Sequence, residues 1–166
     1  MTHIEISVQP DTFDVAAEMA RLTDGDAGIG AVVAFVGLVR DFSQPRPVRS
    51  MTLEHYPGMT QKALQSIAEE AGDRWPLHGI RVIHRVGDLA PTEPIVLVLT
   101  TSAHRQAAYA GNEFIMDYLK TRAPFWKKEY DANGEGHWVD ARESDTSAAQ
   151  RWDRFLSEQY GVAEHD

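Results

Sequence analysis

Between Ile95 and Tyr130 the chain spells out a strand, a long helix and a second strand joined through a proline, and this run limits the fold more than any other. Ile95 to Thr101 is apolar and β-branched, the composition of a central strand. From Ser102 to Ala123, apolar residues recur at helical spacing: Ala107, Gly111, Phe114, Ile115, Tyr118 and Leu119. Pro124 disfavours a helical conformation at Ala123, so the helix ends there. Phe125 to Tyr130 reads as a strand, Asn133-Gly134 as a turn, and Trp138-Val139 as the return arm of a hairpin.

The flanking segments fit the same plan. Ile4, Ile6 and Val8 alternate with polar residues as a strand. Pro10-Asp11 opens a short helix with Val15, Met19 and Leu22 on one face. Ala31 to Val39 is a continuous apolar run and reads as a buried strand. Asp41 to Pro47 reads as a loop. Ser50 to His55 alternates, with Met51, Leu53 and His55 on one face. Thr60 is placed to cap a helix running to about Arg74, striped by Leu64, Ile67, Ala68 and Ala71. Ile80, Val82 and His84 alternate as a further strand, and Gly87 to Pro94 turns. Beyond about Asp145 the chain is polar and acid-rich, with a short helix expected from Ala148 to Tyr160. This order predicts a single α+β domain with a mostly antiparallel sheet and helices packed on it.

The chain contains no cysteine, which removes a thiolate metal site, an iron–sulfur cluster and a cysteine nucleophile from consideration. Its seven histidines show no metal-ligand spacing, so no metal site is expected. The opening MTHIEISVQP has neither the basic nor the long apolar stretch of a secretory signal, and no apolar run is long enough to span a membrane. A cytoplasmic location is the expectation. Formal charge is −9, which argues against general nucleic-acid binding. Yet His104 to Lys128 carries +3, leaving −12 for the remainder. A local basic patch on an acidic chain fits either a small anionic ligand or a solvated helix end.

The glycines at 25, 28 and 30 lack the third member of a dinucleotide fingerprint, since position 33 is Val33, and they read as turn residues. His104-Arg105 stands where a strand turns into a helix. Exposed N–H groups there attract anions, and the helix dipole disfavours cations unless an anion is bound. The competing reading is surface decoration beside a Ser102 cap. Lys120 and Arg122 suit the dipole at the helix end, which is a sufficient structural reason for them. Lys127 and Lys128 point to opposite faces of the following strand, and alternation does not say which faces inward. An inward lysine is costly unless it is paired or loses its proton. In a cysteine-free enzyme, lysine and histidine are the groups for proton transfer or nucleophilic attack.

Several stretches resemble the large, catalytic subunit of molybdopterin synthase. They are Phe35-Val-Gly-Leu-Val-Arg40, Thr52-Leu-Glu-His-Tyr-Pro-Gly-Met59, Val82-Ile-His-Arg-Val-Gly87, Thr101-Ser-Ala-His-Arg105, the run from Phe114 to Glu129, and Trp138-Val-Asp-Ala-Arg-Glu-Ser-Asp145. The resemblance runs from about residue 4 to Trp152. It implies one domain over residues 1–152, of the α/β-hammerhead fold, followed by an acidic extension over 153–166. The implied reaction is sulfur transfer to cyclic pyranopterin monophosphate, forming the dithiolene of molybdopterin, with no cofactor and no metal in the chain. The sulfur would arrive as a C-terminal Gly-Gly thiocarboxylate on a small ubiquitin-like partner subunit. Two large subunits would pair centrally, with a small subunit at each far end, as a heterotetramer. The resemblance gives Lys120 and Lys127 catalytic roles: Lys127 engages the thiocarboxylate and Lys120 acts in acid–base chemistry. Arg40, His104 and Arg105 correspond to substrate-pocket residues, and Arg142 to an arginine reaching a neighbouring large subunit's pocket. Leu38, Val39, Lys128 and Glu129 would line the same site. The prolines at 45 and 47 and the extension after Trp152 depart from the family pattern.

Overall fold

The structure is a computed structural model that describes residues 1–40, 42–43, 46–47, 50–139 and 147–152. Its elements in order are β1 (His3–Gln9), α1 (Val15–Thr23), β2 (Ala31–Leu38), β3 (Phe42–Ser43), β4 (Arg46–Pro47), β5 (Ser50–His55), α2 (Met59–Arg74), β6 (Leu77–Arg85), β7 (Gly87–Leu89), β8 (Pro94–Ser102), α3 (Arg105–Arg122), β9 (Phe125–Tyr130) and β10 (Gly136–Val139). Residues 147–152 are helical, and the rest of the expected 148–160 helix lies outside the described residues. Among the described residues no helix is long and apolar enough to cross a membrane.

The α+β reading holds, with two sheets where one was expected. The first has the order β1-β6-β8-β2 and the second β10-β9-β5-β7. Among the described pairings only β1–β6 is parallel. The strand β7 falls inside the stretch expected to turn, where it pairs with β5; three residues are too few for alternation to register. Likewise β3 and β4 form a two-residue ladder inside the expected loop.

The main core lies between the first sheet and helices α2 and α3. Leu64, Ile67, Ala68 and Ala71 from α2 meet Ile80, Val82, Val96 and Val98 from the sheet and Phe114, Ile115, Tyr118 and Leu119 from α3. Gly111 lets α3 approach β6: a Cβ there would sit 2.7 Å from a methyl of Leu77. Asn112, buried beside it, donates from Nδ2 to the carbonyls of Val33 (3.1 Å) and Val98 (2.9 Å), fastening α3 across β2 and β8.

Three local expectations change. The first helix starts at Val15, because the Asp14 side chain accepts from the Ala17 N–H and caps it there. Thr60 does not cap α2. It lies inside the helix, buried, where its hydroxyl accepts from the Tyr56 N–H and donates to the Pro124 carbonyl. The run Ala31 to Val39 is not a buried strand throughout. As the sheet's outer strand, β2 leaves Phe35, Val36 and Leu38 exposed.

Candidate active site

Pro124 ends α3, and the chain turns at once into β9. This elbow carries both candidate lysines, Lys120 in the last turn of the helix and Lys127 on the strand. Strand pairing settles which lysine of β9 faces inward. His55 lies opposite Phe125, Leu53 opposite Lys127 and Met51 opposite Glu129. Directly opposed residues share a face, and Met51 and Leu53 are buried. Lys127 therefore shares the inward face, with its Nζ 3.4 Å from a carboxylate oxygen of Glu129. Lys128 lies on the other face, opposite Thr52 and Trp138, with its Nζ 5.6 Å from the Tyr130 ring centre and 5.5 Å from that of Trp138. Arg122 is engaged structurally, bonded to Glu70 at 2.8 Å and laid over the Tyr118 ring.

Beneath the elbow lies a residue that sequence reading placed only on an alternating strand. His84 is buried on β6, and its ring stacks on Phe125 at 3.8 Å and 22°. Its Nδ1 lies 2.9 Å from the Arg85 carbonyl, so this nitrogen carries the proton. Burial pushes its pKa down to about 4, against the pull of that carbonyl, and the charges of Lys120 and His55 push the same way. The signal in the sequence was alternation alone: His84 continues the Ile80, Val82 face that meets the helices.

Leu38, Val39 and Arg40 stand where the two sheets meet. Val39 is buried against Met51 and Leu89, its N–H donating to Glu93 and its carbonyl accepting from Thr92. Leu38 and Arg40 on either side are exposed. This seam joins the β5 residues that face Lys127 and Glu129.

His104 and Arg105 do not join this group within one chain, which corrects the expected convergence with Arg40. The register sets Leu38 opposite Pro94 and Ala31 opposite Ser102, so Arg40 and His104 follow opposite ends of the β2–β8 ladder. Helix α3 separates the same ends, since its 18 residues span about 27 Å. Lys120 lies at the Arg40 end, near enough to His84 to act on its charge. His104 occupies the N-cap of α3 without a capping side-chain bond. With Arg105, Gln106, Tyr109, Glu113 and Trp152 it lines an open groove of about 660 Å³. Arg142 lies outside the described residues.

The carboxylates of Asp131 and Glu135 and the His137 ring place ligand atoms within 4.8 Å of one another. Asp131 already accepts from the N–H groups of Asn133 and Glu135, so its carboxylate serves the β9–β10 turn.

Comparison with known proteins gives a consistent result. A family model described as MoaE protein matches residues 8–122. The molybdopterin synthase catalytic subunit of Pseudomonas aeruginosa is 59% identical over 148 residues, covering 89% of this chain and 98% of its own length. A solved structure described as molybdopterin biosynthesis MoaE protein from Burkholderia ambifaria superposes with a TM-score of 0.77 at 51% identity, covering 92% of this chain and 99% of that one. The crystal structure of molybdopterin synthase from Staphylococcus aureus matches with a TM-score of 0.71 at 31% identity, covering 82% and 96%.

Proposed function

The chain belongs to the MoaE family, and from that premise we propose that it is the catalytic subunit of a cytoplasmic molybdopterin synthase, a sulfurtransferase. Its substrate is cyclic pyranopterin monophosphate, and its sulfur comes from the C-terminal thiocarboxylate of a small ubiquitin-like partner. The observation that carries this reading is the elbow: a chain without cysteine sets Lys127 on the inward face of β9 and Lys120 on the helix that leads into it.

In this reading the partner's extended tail approaches Lys127, whose ammonium holds the thiocarboxylate. Glu129, 3.4 Å away, keeps that ammonium oriented until the tail arrives. Lys120 moves protons on the pterin as sulfur adds. The sulfur adds to a pterin carbon, the oxygen it replaces there leaves as water, and hydrolysis of the acyl–sulfur bond by a second water returns the partner as an ordinary carboxylate. A cysteine is not needed because the sulfur is carried by the partner.

The distance between Arg40 and His104-Arg105 fits a pair of chains. The exposed apolar edge of β2 offers a surface for a second copy, and an antiparallel pairing there brings His104 and Arg105 of one chain toward Arg40 of the other. Both anions, the pterin phosphate and the thiocarboxylate, then lie among bases drawn from two protomers. The domain over 1–152 performs this chemistry, and the acidic stretch 153–166 is an extension to it.

The test is reconstitution. The purified chain, mixed with thiocarboxylated partner and the cyclic pterin, should yield the dithiolene product, and the partner without thiocarboxylate should yield none. A mixture that binds the partner but forms no dithiolene overturns the enzymatic reading. Light scattering should give a dimer of this chain alone; a strict monomer at micromolar concentration overturns the composite pocket.

A further inference from the structure

The elbow between α3 and β9 rests on a titratable ring. The two lysines are seven positions apart, on either side of Pro124 and Phe125. Two contacts from elsewhere in the fold fix this connection. The Thr60 hydroxyl of α2 donates to the Pro124 carbonyl at 2.9 Å, and the His84 ring of β6 lies flat against Phe125, centre to centre 3.8 Å. Phe125 opens β9 and pairs with His55 of β5, so its place sets the start of the strand that carries Lys127.

We propose that His84 is the positioning residue for the lysine pair: its ring, stacked on Phe125 and anchored by Nδ1 to the Arg85 carbonyl, sets where the elbow sits and so where Lys120 and Lys127 point. This rests on the reading that those lysines carry out the transfer. Geometry supports the assignment in three ways. The ring is buried, so no water competes for its place. It is tethered at 2.9 Å to the backbone carbonyl of the next residue, so it is rotationally fixed. It joins the first sheet, the rigid base of the fold, to the first residue of the strand that carries Lys127.

The ring must also be uncharged to do this. Val8 and Val96, its partners on the flanking strands, are apolar. Phe125 covers it from β9. The charged groups acting on it are Lys120 from α3 and His55 from β5, both of which oppose a second positive charge beneath them. A protonated ring at this spot repels Lys120 and loosens the elbow.

The experiment uses the full chain with 13C at the lysine ε-carbons, which gives four signals because the chain has only Lys62, Lys120, Lys127 and Lys128. Each is assigned by its lysine-to-arginine variant. In His84→Asn the Lys120 and Lys127 signals should shift while exposed Lys62 stays fixed. In His84→Phe, which keeps a flat ring against Phe125, both should return toward their original positions. Sulfur transfer should follow the same order. Displacements near 1 Å cost up to about a hundredfold in rate, so His84→Asn should lose between about tenfold and a hundredfold, and His84→Phe far less. Unmoved lysine signals in His84→Asn, or a His84→Phe as impaired as His84→Asn, overturn the proposal. Should the Asn variant not fold, the unmodified chain decides. As its His84 ring carbons titrate, below the ordinary imidazole range, the Lys120 and Lys127 signals should move with the same midpoint, and signals that stay put or follow a different midpoint overturn the proposal. A chain that transfers no sulfur at all defeats the functional reading, while the lysine signals still decide the positioning role.

Discussion

Acidification should unfold this protein earlier than its carboxylates require, and His84 is the reason. Its pKa is about 4 in the folded chain against 6.5 ordinarily, chiefly because burial penalises the charged ring. The unfolded chain therefore binds a proton that the folded chain refuses over that interval. Stability is complete above pH 6.5 and falls as pH drops, levelling off below about 4. The full gap corresponds to about 3 kcal/mol, at 1.36 kcal/mol per pH unit. By pH 5 about 2 kcal/mol of it is already gone relative to pH 7. The acid side chains act in a different window. Glu5, held down to about 2 by Arg21 and His3, contributes stability that is lost only as pH falls from 4.5 toward 2. Urea unfolding at pH 7, 6 and 5, at one fixed protomer concentration, separates the two. The unmodified chain should lose about 2 kcal/mol across that range, and His84→Phe should lose clearly less. An equal slope in both proteins would refute the assignment of this acid sensitivity to His84.

Five further outcomes follow from the same structure. Lys127→Ala should lose nearly all single-turnover sulfur transfer with the fold intact by circular dichroism. Lys128→Ala, on the opposite face, should lose less than about tenfold, or about 1.4 kcal/mol. Lys127→Arg should remain largely inactive, because a planar guanidinium does not take the place of a compact ammonium beside Glu129, and an active Arg variant would show that charge alone suffices. Asn112→Leu should cost about 3 kcal/mol in urea unfolding, because two carbonyls on β2 and β8 lose their buried donor; a loss below about 1 kcal/mol would show that the clamp is dispensable. Gly30→Ala should lower stability by about 2 kcal/mol, since its new Cβ would overlap the Ala103 carbonyl oxygen just before His104; an unchanged melting temperature would mean the backbone yields there freely.

What the sequence determined by itself was local. Period and punctuation placed α3 against its proline, β8 in its β-branched run and the apolar stripe of α2, because each is written within a dozen or so consecutive residues. The quoted motifs likewise carried the family. What only tertiary structure decided were relations between distant residues. Alternation said that Lys127 and Lys128 face apart, but the inward one was fixed by pairing with Leu53 and Met51, more than 70 positions earlier. The run Ala31 to Val39 read as buried because apolar content records a preference for burial; the strand's place at the sheet edge left part of it exposed. The same ladder parted Arg40 from His104 and Arg105, which motif matching had grouped because it carries no distances. His84 gained its meaning last. Nothing in its own neighbourhood announces a stacking partner 41 residues away, and only the folding of β9 over β6 brings Phe125 to it.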